Sequence, residues 1–242
     1  SQLEVFENLV AQGAAAIAVA PVDSAGIAPA VNDAMGAGIP VVAIDTGVAG
    51  AEVTSFVATD NYAVAKVQGA VAATLVEDGQ PIIYVTGNQA QSTGQERRNG
   101  FVESFSAARP NSEILEVPTE WNSQEAQEGV EAILNSRQDV AMVANAWDGG
   151  TMGAKAALEN LGFSAGDVKL VGFDGAGDAI AAMDEGWVHA NTAQMLYQMG
   201  YQGIKAASAA ARGEDVSARI DTGFFLVTPM TSGTYKAMVG IE

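Results

Sequence analysis

Residues 168–177 read VKLVGFDGAG: Val168, Leu170 and Val171 lead into Gly172-Phe173-Asp174-Gly175, and a helical pattern of Ile180, Ala181 and Met183 follows from Asp178. The segment reads as a buried strand that stops at a carboxylate, then a glycine turn, then a helix. Residues 40–45, PVVAID, repeat the grammar, with Asp45 followed by Thr46-Gly47. In an open parallel sheet, ligands sit beyond the carboxyl ends of the strands. An ionised aspartate there accepts several hydrogen bonds, each strengthened by its charge. General acid–base work would need a raised pKa and a proton to move. Two strand-end carboxylates fit better as acceptors for the hydroxyls of a neutral molecule such as a sugar.

Arg97, first of the Arg97-Arg98 pair, carries a rigid fork of N–H donors suited to sugar oxygens. From the residues alone, a solvated helix face explains the pair equally well. Trp121 and Trp147 lie in TEWNS and NAWDGG, each just past a predicted strand. A flat apolar ring at that rim suits the C–H face of a pyranose or furanose; the other reading is an indole folded onto its own lobe. Trp187 opens a strand, hence falls at the opposite rim, and is read as packing. The single histidine, His189, sits mid-strand with no nucleophile motif and is read as structural. No G-x-S-x-G, H-E-x-x-H, Walker A or EF-hand pattern occurs. GFDGAG superficially matches a dinucleotide loop, but G-x-G-x-x-G counted from Gly175 puts Ile180 where the last glycine belongs. The expectation is a binding protein and not an enzyme, with no cofactor and no metal.

Composition narrows the partners. Across 242 residues there are 11 basic and 29 acidic side chains, a net charge of −18. So acidic a surface repels phosphate backbones and anionic lipid, so nucleic acid is excluded as a partner and a membrane surface is disfavoured. No apolar run approaches the ~18 residues of a membrane span. The absence of cysteine rules out disulfides, thiolate catalysis and thiolate metal ligands. The opening SQLEVFENLVAQG has neither the basic start nor the apolar stretch of a signal peptide.

The elements that must position these residues alternate. Ser1 is placed to cap a helix with Leu3, Phe6, Leu9 and Val10 on its apolar face, stopped at Gly13. Strands are predicted over 15–20, 40–45 and 54–59. Asp23-Ser24 are expected to cap a helix carrying Ile27, Val31, Ala34 and Met35, and Asp60-Asn61 to cap another. Beyond Asp78-Gly79, strands are predicted over 81–86, 113–117, 140–144, 168–174 and 188–194. Helices are predicted between them over 92–107, 123–136, 150–161 and 180–184. An Ala-rich helix over about 195–211, a strand over 223–228 and a short helix over 233–238 complete the chain. Continuously apolar strands alternating with helices indicate parallel sheets covered on both faces. The stretch APVDSAGIAPAVNDAMGAGIPVVAID aligns with ANAWDGGTMGAKAALENLGFSAGDVKLVGFD as an internal repeat, which argues for two lobes.

Taken in order, LVAQGAAAIAVAPVDSAGIAPAV, GIPVVAID, VATDN, the ERRNGF segment, LVGFDG and ANTAQ resemble the periplasmic sugar-binding proteins of bacterial ABC transporters. The likeness is to the ribose-binding branch of the type 1 periplasmic-binding fold. It implies an α/β protein of two Rossmann-like lobes with parallel sheets, joined by a three-crossing hinge and closing on one monosaccharide or polyol. Residues 1–59 and about 195–222 would form the first lobe, and 60–194 and about 223–242 the second. By position, the resemblance assigns ligand contacts to Asp45, Thr59, Arg97, Trp121, Phe173 and Asp174, with Gln194 as the hinge glutamine. Asp148 would lie beside the site.

The same resemblance implies a periplasmic monomer, or a membrane-anchored extracellular lipoprotein. It would deliver its sugar to an ABC transporter permease, with a chemoreceptor as a second possible partner. The sugar-responsive effector domain of a LacI-type repressor shares the fold and is the alternative. Ala20 stands where ribose binders often carry Asn, Thr46 replaces a second arginine, and Trp147 stands where Asn commonly precedes the aspartate. Losing polar groups and gaining an indole implies a ligand other than ribose. The strand, helix and strand that open family members are not found before the segment matching residues 3–13. A chain missing that N-terminal βαβ segment is therefore expected, with a bare edge on the strand at 15–20.

Overall fold

The computed structural model describes residues 1–241. In chain order its elements begin α1 (Gln2–Ala11), β1 (Ile17–Val19), α2 (Ala28–Gly36), β2 (Val41–Ile44), β3 (Ser55–Ala58) and α3 (Asn61–Thr74). Next come β4 (Ile82–Val85), α4 (Ser92–Ala108), β5 (Ile114–Val117), α5 (Ser123–Ser136), β6 (Met142–Asn145), α6 (Asp148–Asn160) and β7 (Lys169–Asp174). The last are α7 (Gly177–Asp184), β8 (Val188–Gln194), α8 (Leu196–Ala211), β9 (Arg219–Asp221), β10 (Phe224–Val227) and α9 (Ser232–Val239). They fall into two compact units. Unit 1 is Ser1–Asp60, Ala90–Thr93 and Met195–Gly223; unit 2 is Asn61–Gln89, Gly94–Gln194 and the residues from Phe224 on.

Unit 1 is built on a four-stranded parallel sheet of order β1-β2-β3-β9. Ser1 closes a capping box on α1, its hydroxyl accepting from the Glu4 N–H while the Glu4 carboxylate accepts from the amino terminus, which satisfies two donors that a helix start leaves over. Val41 and Val42 point to opposite faces by the strand's period of two. One joins Phe6, Ile17, Val31 and Ala34 in a buried cluster, the other Val57, Ala206 and Ala207. The strand expected over 15–20 shrinks to three residues at the sheet edge, where Ile17 and Val19 are buried and Ala18 is exposed.

One expectation fails here, and one strand appears that the sequence pattern does not predict. Asp23 does not cap α2; its Oδ1 accepts from the N–H groups of Ala25 and Gly26. The chain thus makes an Asx-type turn before the helix starts at Ala28 with proline in its first turn. The strand β9 was not foreseen, because Arg-Ile-Asp has neither length nor apolar period. It is held by pairing with β3.

Unit 2 has a six-stranded sheet of order β10-β8-β7-β6-β4-β5. Its central strands are buried on both faces, as Ile82, Ile83, Tyr84 and Val85 show. That is why they read as unbroken apolar runs. The Tyr84 ring stacks on Phe101 at 4.3 Å, and Phe101 on Phe105 at 5.6 Å. The sheet is not wholly parallel: β10 runs antiparallel to β8, with Phe224 opposite Gln194. The chain re-enters the sheet beside the point where it left, so the returning strand must run backwards along β8. Helices α6 and α7 begin earlier than predicted, at Asp148 and Gly177. Asp148 therefore lies in the first turn of α6, where a carboxylate suits the helix dipole. The two copies of the internal repeat are β1–α2–β2 and β6–α6–β7, and the strands of each are parallel neighbours. Among the described residues no helix is long and apolar enough to cross a membrane.

Candidate functional site

The carboxyl ends of the unit 2 strands gather most of the chemistry. Asp174 ends β7 and Gln194 ends β8, Trp147 follows β6, Trp121 follows β5, and Arg97 stands on the helix after β4. Arg97 is the hub. Its Nε donates to Asn61 Oδ1 at 2.8 Å, and its Nη1 donates to the Ala146 carbonyl at 2.7 Å and to Asp174 Oδ1 at 3.0 Å. The guanidinium lies 4.0 Å from the Phe173 ring centroid and 5.7 Å from that of Trp121, a stacked arrangement suited to its flat, weakly hydrated cation. Arg98, its neighbour in sequence, turns outward to pair with Glu116.

The Arg97 side chain is 4% exposed and that of Asp174 25%, so the carboxylate reaches solvent with a buried cation behind it. Gln194 Nε2 donates to the same Asp174 Oδ1 at 2.7 Å. Its Oε1 is buried and finds no partner within the protein. A buried orphan acceptor of this kind calls for an outside donor.

The two indoles differ. Trp121 is half-buried and packs edge-on against Trp147, centroids 5.3 Å apart and planes at 86°. Its ring covers Gly87, where a Cβ would overlap it. Trp147 is buried over Gly149 and Gly150 in the first turn of α6. Phe173 is wholly buried and supports the guanidinium. Asp148 is also buried: its Oδ2 accepts the Ala176 N–H at 2.7 Å and its Oδ1 the Asn191 amide at 2.6 Å. Burial, reinforced by the charge of Asp174, pushes its pKa up to about 8. Trp187 is buried with Lys155 over its ring, and the His189 Nδ1 sits 3.1 Å from the Trp187 carbonyl; burial lowers the histidine's pKa.

Asp45 holds the equivalent rim position in unit 1. Its backbone N–H donates to the Val57 carbonyl at 2.9 Å and its Oδ2 accepts from the Thr46 hydroxyl at 2.9 Å. Thr46 and Thr93 hydroxyls are 3.2 Å apart. Thr59 is fully buried, donating to the Gly223 carbonyl at 3.3 Å, and so fastens the end of β3 to the turn after β9.

Backbone geometry marks the same residues. Among the described residues the non-glycines at positive φ are Asp45 (65°), Trp121 (60°) and Asp174 (109°). Such conformations cost a side-chain-bearing residue energy and gather at functional sites. All three were singled out from the sequence, although nothing in the sequence shows their backbone geometry. Asn61, Asn191 and Tyr235 were missed as site residues. Asn61 was legible only as a helix cap, and Tyr235, whose hydroxyl donates to the Gly175 carbonyl at 2.9 Å, lies too far along the chain for any local pattern to link them. Among the described residues no group of three His, Cys, Asp or Glu side chains could hold a metal ion.

A family profile described as "Periplasmic binding protein domain" matches residues 1–215. The chain is similar to the ribose import binding protein of Escherichia coli K12, with 30% identity over 226 residues, covering 93% of this chain and 75% of that protein. It is also similar to a solved ABC transporter solute binding protein from Mycobacterium smegmatis with bound glycerol, with 31% identity, TM-score 0.88, and coverage of 96% and 81%. A Bacillus halodurans C-125 solute binding protein with bound myo-inositol superposes with TM-score 0.91 at 28% identity, covering 98% and 82%. The profile match over most of the chain, together with relatives of this kind, shows that the chain belongs to the periplasmic binding protein family, among its ribose-binding-like members.

Proposed function

We propose that this protein is a solute-binding receptor that captures a neutral monosaccharide or polyol and delivers it to the permease of an ABC transporter. The observation that carries this reading is the Arg97–Asp174–Gln194 arrangement. It combines a solvent-reaching carboxylate held by a buried guanidinium with a buried amide oxygen lacking a partner. Asp174 accepts ligand hydroxyls, Gln194 Oε1 accepts another, and Arg97 donates to ring or hydroxyl oxygens. Trp121 offers its half-buried ring to the C–H face, with Trp147 and Phe173 as its backing. Asp45 and Thr59 are retained as proposed contacts from unit 1, Asp45 because its strained backbone at a strand end repeats that of Asp174. Relatives holding glycerol and myo-inositol fit a site that reads hydroxyls. The family supports a periplasmic or extracellular location; a lipid anchor, a chemoreceptor partner and a monomeric state belong to the proposal. No observation favours the repressor-domain alternative.

A thermal-shift panel of pentoses, hexoses and polyols tests it. A ligand at 100 times its Kd adds about 2.7 kcal/mol of stability, so at least one compound is expected to raise the Tm by several degrees. A flat response across the panel from folded protein would overturn the reading.

A further inference from the structure

Strands β6 and β7 part just below the rim of unit 2. Their pairing runs as far as Ala144 opposite Val171. Beyond that point β6 stays with β4, Asn145 opposite Val85, while β7 stays with β8 up to Asp174 opposite Ala193. The sheet forks at its carboxyl edge. One prong leads into Ala146, Trp147 and Asp148, the other into Phe173 and Asp174.

A fork inside a sheet strips main-chain carbonyls of their ladder partners, and buried carbonyls must then be satisfied by other donors. Two side-chain amides supply them. Gln68 Nε2, from α3, donates to the Asn145 carbonyl at 2.8 Å and to the Gly172 carbonyl at 3.0 Å. Asn145 Nδ2, from β6 itself, donates to the Val171 carbonyl at 3.2 Å. Both side chains are wholly buried. Because one nitrogen of Gln68 holds both prongs, it limits how far they can separate. Gly172 is also close-packed towards α6, where a Cβ would come within 2.5 Å of Asp148 Oδ1 and Asn191 Nδ2.

Arg97 closes the same fork one step higher. Its Nη1 bridges the Ala146 carbonyl and Asp174 Oδ1, so Gln68 and Arg97 form successive rungs between the same two prongs. Helix α3 sets both rungs. Asn61, which accepts from Arg97 Nε, and Gln68 stand two helical turns apart on one face, and both are buried. The close approach of α3 to α4 depends on Gly69, where a Cβ would lie 2.7 Å from the Phe101 carbonyl.

As a packing residue Gln68 is a poor choice. Its Oε1 is buried without a partner within the protein, a destabilising feature that a methionine of similar length would avoid. Its distinct contribution is a donor shared between the two carbonyls. Without that donor the carbonyls repel each other and the prongs spread.

We propose that Gln68 is a positioning residue that sets the width of the β6–β7 fork, and through it the spacing of the Asp174 carboxylate from Trp147, so that the site discriminates between sugars or polyols by size. The proposal deepens the receptor reading and rests on it for the binding measurements, but its first test needs no ligand.

That test is amide hydrogen exchange, read by mass spectrometry, on ligand-free wild type and Gln68→Met. Peptides covering 145–150 and 172–177 should exchange roughly tenfold faster in the variant, while the peptide over 114–136 keeps its wild-type rate. Faster exchange throughout the chain would mean a general loss of stability and would overturn the proposal, as would no change. Asn145→Ala removes the second amide and should speed the same two segments to a smaller extent. If Gln68→Met does not fold, wild-type exchange there in folded Asn145→Ala would overturn it.

The second test is titration with the panel compound that gives the largest thermal shift and with its homologue one hydroxymethyl group larger. In Gln68→Met the affinity for the first should fall roughly tenfold, and the preference for it over the homologue should fall about fivefold. Equal losses for the two compounds, or unchanged affinities, would overturn the proposal. If no panel compound binds, the receptor reading falls, and the exchange comparison still decides whether Gln68 holds the fork.

Discussion

At the scale of the residue, Arg97 is the side chain on which the unit 2 rim depends. A buried guanidinium is acceptable only because Asn61, the Ala146 carbonyl and Asp174 take its donors while Phe173 takes its face. Lysine keeps the charge but offers a point donor on a flexible stem and cannot reproduce the fork. Arg97→Lys should lower the affinity for the panel compound about 100-fold, and denaturant unfolding should show a loss of about 2 kcal/mol, since hydrogen bonds to charged groups contribute roughly 1.5–3 kcal/mol each. Unchanged affinity in the variant would remove Arg97 from the site. The sequence pointed to this arginine through its place near a helix start, but it left burial and a solvated face equally open. Arg98 shows why: two adjacent arginines on one helix point in different directions, one into the rim and one to Glu116. Only tertiary packing separates them.

The elements show a similar division. Strand β8 and helix α5 lie where the sequence placed them: α5 buries the single face of Ala126, Val130 and Leu134, and β8 is buried along almost its whole length. Strand β9 and the turn at Asp23 escaped because their structure comes from pairing and from a side-chain bond, which leave no period behind. The same limit applies to the loop that carries Trp121. The tryptophan was visible in sequence, but its partner Gly87 was not, since the contact joins the segment after β4 to the segment after β5. The positive φ at Trp121 and the missing Cβ at Gly87 together lay the indole over bare backbone. Gly87→Ala should therefore displace the ring. The expected outcome is a changed tryptophan fluorescence spectrum and at least tenfold weaker binding, with far-UV circular dichroism unchanged. A variant that binds and fluoresces like wild type would show that the ring does not depend on that glycine.

For the molecule as a whole, the net charge of −18 bears on solubility and on the partners it repels, and leaves the fold itself to packing. The packing is divided. The largest buried cluster, from Val64 to Tyr235, draws all its members from unit 2. The register of β8 and β10 then has a practical consequence. Gln194 and Phe224 are direct antiparallel partners, so the 29-residue excursion between them, 195 to 223, starts and returns at neighbouring points. A two-residue Asn-Gly link, the sequence that two-residue hairpins favour, could replace that excursion and leave a shortened polypeptide starting near Asn61. Such a miniature should melt in one cooperative step by calorimetry. A broad, non-cooperative melt would mean that the larger half cannot stand alone.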